Sequence, residues 1–107
     1  MENDRRQFLR APISGVALIY DSKIEPTELI DVGIGGMRVS GKCTFSIHEP
    51  VWIEFTFVRD AEMVWGKRAR ATLRRSEYDQ SKKRFIMGFE FLSLTEFQQY
   101  VIANAIG

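Results

Sequence analysis

Strict two-residue alternation dominates the middle of the chain. Val51, Ile53, Phe55 and Phe57 fall on one side while Trp52, Glu54 and Thr56 fall on the other. That is the mark of a half-buried strand. Arg84 to Leu92 repeats the pattern with Phe85, Met87, Phe89 and Phe91 facing inward, and Ala69, Ala71 and Leu73 do so more weakly within 64–76. These two segments are predicted to form a hairpin, with the polar stretch EYDQSKK between them as an exposed loop. Earlier strands are expected at Gly15 to Tyr20, Glu28 to Val32 and Met37 to Ser40, each bounded by Pro, Gly or polar residues. The period then changes. Leu94, Phe97, Val101 and Ala105 lie on one helical stripe with Tyr100 on its shoulder, and Ser93 with Glu96 reads as a capping box. A helix over 94–106 follows. Six short strands and one helix predict a mainly β fold, a six-stranded antiparallel β-barrel with one C-terminal α-helix plugging it or packing against it. Closure leaves no strand edge exposed.

The 107 residues, 45% hydrophobic and 27% charged, suit one compact domain with a shared core. Residues 1–12 read as a flexible arginine-rich arm and 13–107 as the barrel domain, with no repeat or linker between. No apolar run approaches the ~20 residues of a bilayer-spanning helix, and MENDRRQFLR has no apolar stretch behind its basic start. A cytoplasmic protein without membrane insertion is the expectation. One cysteine, Cys43, excludes an internal disulfide and reads as a small core filler or an inert thiol. With one histidine, His48, in the loop sequence SIHEP, neither a metal site nor any other cofactor is expected. Paired carboxylates and nucleophile constellations are absent too, so an enzyme is the least favoured class.

The net charge is only +1, but residues 67–84 hold eight cations against two carboxylates. Such a segment is either a solvated edge that resists pairing or a surface for an anionic partner. Arg70 and Arg74, on the outward side of their strand, could extend an anion-binding face. Two further motifs carry chemistry. In RRQFLR, Arg5, Arg6 and Arg10 present planar forks of donors suited to phosphate oxygens or to the O6 and N7 acceptors of guanine. In DVGIGG, Asp31, Gly33 and Gly36 are spaced D-x-G-x-x-G between two predicted strands. The missing side chains allow close backbone approach to a flat or charged ligand, beside a carboxylate that can accept from ring N–H donors.

An arginine arm, then Asp-x-Gly-x-x-Gly, β-hairpins, MGFEF and a terminal helix together resemble the PilZ domain family of bacterial cyclic di-GMP receptors, over nearly the whole chain. Arg5, Arg6 and Arg10 match the family's R-R-x-x-x-R motif, and Asp31 and Gly36 match its Asp/Asn-x-Ser-x-x-Gly motif, with Gly33 standing where serine is expected. The resemblance implies a six-stranded barrel whose arginine arm wraps the nucleotide against the face carrying the second motif. Arg6 and Arg10 would grip phosphates or the guanine Hoogsteen edge, and Asp31 would accept from the Watson–Crick edge. Arg5, immediately before R-x-x-x-R, implies two stacked nucleotides per subunit. The glycine at 33 removes one hydrogen bond, which costs about 0.5–1.5 kcal/mol.

Three functions fit these observations. The leading one is a cyclic di-GMP receptor whose arm is ordered by the ligand, passing a second-messenger signal to a downstream protein partner. The second is a degenerate PilZ-like adaptor that binds protein and no nucleotide. A small β-barrel nucleic-acid binder is third and unlikely, since outward aromatic positions suited to base stacking are not evident in the cationic segment.

Overall fold

The computed structural model describes residues 10–106, with side chains from Pro12 onward. Arg5, Arg6 and the side chain of Arg10 lie outside the described residues. The strands are β1 (Arg10–Tyr20), β2 (Ile24–Gly33), β3 (Gly36–Gly41), β4 (Pro50–Arg59), β5 (Glu62–Asp79) and β6 (Arg84–Ser93), followed by α1 (Glu96–Ile106). They close into an antiparallel barrel in the order β1-β2-β3-β6-β5-β4, with β4 returning to β1. Every strand therefore has a neighbour on both sides.

The alternation predicted for the core is the alternation observed. Ile53, Phe55, Phe57, Ala71, Leu73, Met87 and Phe89 are buried inside the barrel with Ala17, Ile19, Val32, Met37 and Val39. Besides the start of β2 at Ile24 rather than Glu28, three boundaries differ from the sequence reading in ways that matter for packing. β1 starts at Arg10 rather than Gly15, so residues 10–12 belong to a strand. β5 runs through Asp79, placing Glu77 and Tyr78 in the ladder rather than in the loop. Tyr78 extends it by packing edge-on against Phe85 at 5.1 Å. The chain then turns because Asp79 accepts the Ser81 and Lys82 amides at 3.0 and 3.2 Å, an Asx turn.

The third difference is the helix cap. β6 continues to Ser93, so the capping box is Thr95 with Gln98, not Ser93 with Glu96: the Gln98 amide donates to Thr95 Oγ1 at 3.1 Å and the Thr95 amide to Gln98 Oε1 at 3.0 Å. The later start rotates the buried stripe to Gln98, Val101 and Ile102, leaving Phe97 and Tyr100 exposed. A polar side chain wins this position because of a bulge. Between the pairs Glu54↔Arg68 and Thr56↔Trp65, Gly66 and Lys67 stand opposite Phe55 alone, and Lys67 takes φ 61°. The amide of Gln98 donates to the Gly66 and Arg68 carbonyls at 2.9 and 2.7 Å. Gln98→Ala would leave those carbonyls short of a donor in a dry setting. It is expected to cost about 2 kcal/mol, seen as a melting temperature lower by roughly 10 °C.

On the outer face of β1, β4 and β5, Glu54 accepts from the Tyr20 hydroxyl and the Trp65 indole N–H, both at 2.8 Å, and from Arg68 at 3.4 Å. The Tyr20 hydrogen bond above all holds the Glu54 carboxyl below its ordinary range, against the opposing effect of burial. The same bond pushes the Tyr20 phenol up. A depressed carboxyl favours the folded state above its unfolded value, about pH 4.3, and that contribution disappears as pH falls through the lower folded value. Thermal melts from pH 6 to pH 3 should therefore fall less steeply for Glu54→Gln than for the parent protein.

Candidate ligand-binding face

Opposite that surface, the outward positions of five strands fall in one row by pairing register: Pro12, Asp31, Arg38, Gly88 and Arg75 on β1, β2, β3, β6 and β5. Asp31 is buried, and its Oδ2 accepts Arg38 Nε at 2.8 Å. This pair is the cross-strand contact that alternation on β2 and β3 dictates, since Asp31 and Arg38 are direct partners. Two residues beyond Asp31, Gly33 pairs with Arg10. Thus the last arginine of R-R-x-x-x-R and the first glycine of D-x-G-x-x-G share one strand pair.

Gly36 opens β3 opposite Glu90. A methyl there would overlap the Phe89 carbonyl, so the glycine permits β3 and β6 to approach. The Phe91 amide donates to the Gly35 carbonyl at 2.9 Å and continues that approach. Gly88 is of the opposite kind, with no atom within 4 Å of where a Cβ would stand. The missing side chain opens a gap between Arg38 and Arg75, two strands apart and so about 10 Å between backbones. The resulting cavity, of about 420 Å³, is lined among others by Gly35, Gly36, Arg38, Arg74, Arg75 and Gly88. That volume is in the range of small-ligand sites. Arg74 is tethered to Glu90 at 3.3 Å.

The structure thus brings Asp31, Gly33, Gly36 and Arg74 to one face with the backbone of Arg10. Arg70 is elsewhere: it packs over Trp52 with its guanidinium carbon 5.1 Å from the ring centroid, and does not line the cavity. Arg70 is the direct β4 partner of Trp52, whereas Arg74, four residues further along β5, meets Glu90 on β6, so two arginines that simple alternation treats as equivalent have different neighbours. The sequence reading missed Arg38, Arg75 and Gly88. Of these, Arg38 was accessible from the outward phase of GMRVS, whereas Gly88 acquires meaning only from the register of β3 with β6. His48 sits in the loop between β3 and β4, its amide bonded to the Leu73 carbonyl at 3.0 Å. Nearby, Cys43 is half-buried, and burial followed by its hydrogen bond with Glu25 pushes the thiol up, away from the reactive thiolate. Among the described residues no three His, Cys, Asp or Glu side chains gather into a metal-binding group.

The family model for the PilZ domain matches residues 4–106. The chain belongs to the PilZ family. PilZ domains are ligand-binding effector domains, and the match spans both motifs, RRQFLR and DVGIGG. No curated protein sequence matches this one significantly. Two solved structures share the fold. The Bacillus subtilis inhibitor of motility (MotI/DgrA) superimposes with a TM-score of 0.83 at 17% identity, over 95% of this chain and 49% of that one. This PilZ chain therefore spans about half the length of the motility inhibitor. The PilZ domain of YcgR from Escherichia coli, solved with c-di-GMP, gives a TM-score of 0.62 at 14% identity, over 95% of this chain and 88% of that one. At these identities the likeness is one of fold. Among the described residues of this PilZ domain, no helix is long and apolar enough to cross a membrane.

Proposed function

We propose that this PilZ domain is a cytoplasmic cyclic di-GMP receptor that performs no chemistry on its ligand and signals by drawing its N-terminal segment onto the barrel. The observation that carries the reading is the pairing of Arg10 with Gly33 beside the Asp31–Arg38 ion pair. It joins the backbone of the last residue of RRQFLR to DVGIGG, next to a cavity rimmed by Arg38, Arg74 and Arg75. A YcgR PilZ domain has been solved with this nucleotide, which supports the ligand class. The chemistry fits as well: the ligand offers two phosphates and two guanines, and guanidinium forks bind the first and stack on the second. Arg5 and Arg6 would close over the nucleotide from the N-terminal side, while Asp31 accepts from a guanine edge. Arg5, directly before R-x-x-x-R, supports a second, stacked nucleotide. Calorimetry tests this reading through stoichiometry, with two nucleotides per chain expected and no heat contradicting it.

Gly33 favours the competing reading of an adaptor that has lost its nucleotide, because a hydroxyl expected from the family motif is missing there. One hydrogen bond is too small a loss to decide that way: about 0.5–1.5 kcal/mol, a factor of about ten at most. Restoring it is informative. Gly33→Ser should tighten cyclic di-GMP binding by about threefold to tenfold in the same titration, and an adaptor without nucleotide binding would show no heat with either protein.

A further inference from the structure

The barrel carries a second chemically distinct surface, on the outward side of β1, β4 and β5. Tyr20, Trp52 and Arg70 form one cross-strand row by register, and Leu18, Glu54 and Arg68 form the next. Trp52 and Trp65 are 43% and 54% exposed, and Phe97 on α1 joins the band beneath the Lys67 ammonium at 4.8 Å. Keeping two indoles in water is unfavourable unless something covers them. We infer that this band is a docking surface for an acidic segment of a protein partner, separate from the nucleotide-binding face.

Charge complementarity identifies the occupant. Among the described residues, the carboxylate that bonds to any of Lys67, Arg68 and Arg70 is Glu54, whose oxygens are already engaged by Tyr20, Trp65 and Arg68. Glu28 on β2, paired with Val16 on β1, lies at the border. Among the described residues Arg70 pairs with no carboxylate; it stacks on Trp52, as Arg68 stacks on Tyr20 at 4.1 Å. A stacked guanidinium keeps its in-plane N–H fork available, the geometry that receives a carboxylate in two parallel hydrogen bonds. A second copy of this chain would bring the same excess of cations, so self-association is disfavoured. Nucleic acid fits less well, because the guanidiniums already cover faces of Tyr20 and Trp52 that bases would need for stacking. Strand addition is excluded by closure of the barrel, which leaves recognition to side chains. Trp, Tyr and Arg are also the residues that dominate protein-interface energetics. Here the hydrogen bonds to Glu54 hold Tyr20 and Trp65 in place before a partner arrives, which lowers the ordering cost.

The test uses the full chain against a phage-displayed library of random 12-residue peptides, with the oligonucleotide dT12 as a second probe. The expected result is that selected peptides are enriched in Asp and Glu and weaken in binding as salt rises. Trp52→Ala combined with Arg70→Ala should lower their affinity at least tenfold. Both positions lie outside the Glu54 hydrogen bonds, and an unchanged melting temperature confirms that the variant folds. A Lys67→Ala, Arg68→Gln variant, with Tyr20 and Trp65 still holding Glu54, should lose binding as well. Selected peptides without acidic enrichment, equal affinity for parent and variants, no selected peptide at all, or tighter binding of dT12 would each overturn the assignment. Cyclic di-GMP titrations of the same variants should match the parent protein, so the two faces stand or fall separately.

Discussion

Arg10→Ala is expected to weaken cyclic di-GMP binding by about ten to a hundred and fifty fold while leaving the melting temperature of the ligand-free protein unchanged. The reason lies in where β1 begins. Arg10 pairs with Gly33 through the backbone, and alanine retains that pairing, so the ladder survives the substitution. What disappears is the guanidinium of the residue whose backbone pairs with Gly33. Hydrogen bonds to a charged partner are worth about 1.5–3 kcal/mol, which converts to the stated range at about 1.4 kcal/mol per tenfold change. Arg6→Ala should behave alike, and Arg10→Lys should recover only part of the loss because an ammonium lacks the planar fork. Calorimetry gives the affinity and a thermal melt gives the stability. Titration curves that match the parent protein for both alanine variants would take the arginine motif out of the mechanism.

Gly36→Ala is expected to destabilise the barrel by about 3 kcal/mol, lowering the melting temperature by roughly 15 °C. Its methyl would overlap the Phe89 carbonyl and approach the Glu90 Cα to 3.2 Å. Both are backbone, so neither can rotate away, and the pairs Gly36↔Glu90 and Met37↔Phe89 would have to separate. Against a total stability of about 5–15 kcal/mol, that is a large fraction. Gly88 provides the contrast. A Cβ there meets nothing within 4 Å, so Gly88→Val should melt close to the parent protein yet obstruct the cavity between Arg38 and Arg75 and weaken the nucleotide at least tenfold. The final glycine of D-x-G-x-x-G is thus assigned to strand packing, and the glycine of MGFEF to ligand space. Stable Gly36→Ala protein would contradict the first assignment, and full affinity in Gly88→Val the second.

Much of this architecture is legible in the sequence because a closed barrel has one dry side and one wet side, and alternation reports which is which at every strand. Val51 to Phe57 and Phe85 to Phe91 were placed that way. Local pattern fails where two strands fall out of step. At the Gly66–Lys67 bulge the Gly66 and Arg68 carbonyls accept from Gln98, so a glutamine is buried and Phe97 is not, although Phe97 is the more apolar. Arg70 stands directly across from Trp52 on β4 and stacks on it, whereas Arg74 pairs with Glu90 on β6. The candidate site divides in the same manner. Asp31, Gly33 and Gly36 are neighbours in sequence and stand out as a motif, whereas Gly88 and Arg75 join them only through the pairing of β3 with β6 and β6 with β5. Trp52 and Trp65, uninformative in sequence, gain a reading once their partners Arg70 and Glu54 are known.

Amide chemical-shift mapping with cyclic di-GMP addresses the central claim most directly, because each motif contributes its own backbone signals. Saturating nucleotide should displace the amides of Asp31, Gly33, Gly35, Gly36 and Gly88 together with those of Arg6 and Arg10, leaving Trp52 and Trp65 in place. A spectrum that does not change, or changes confined to the tryptophan-bearing strands, would contradict the account.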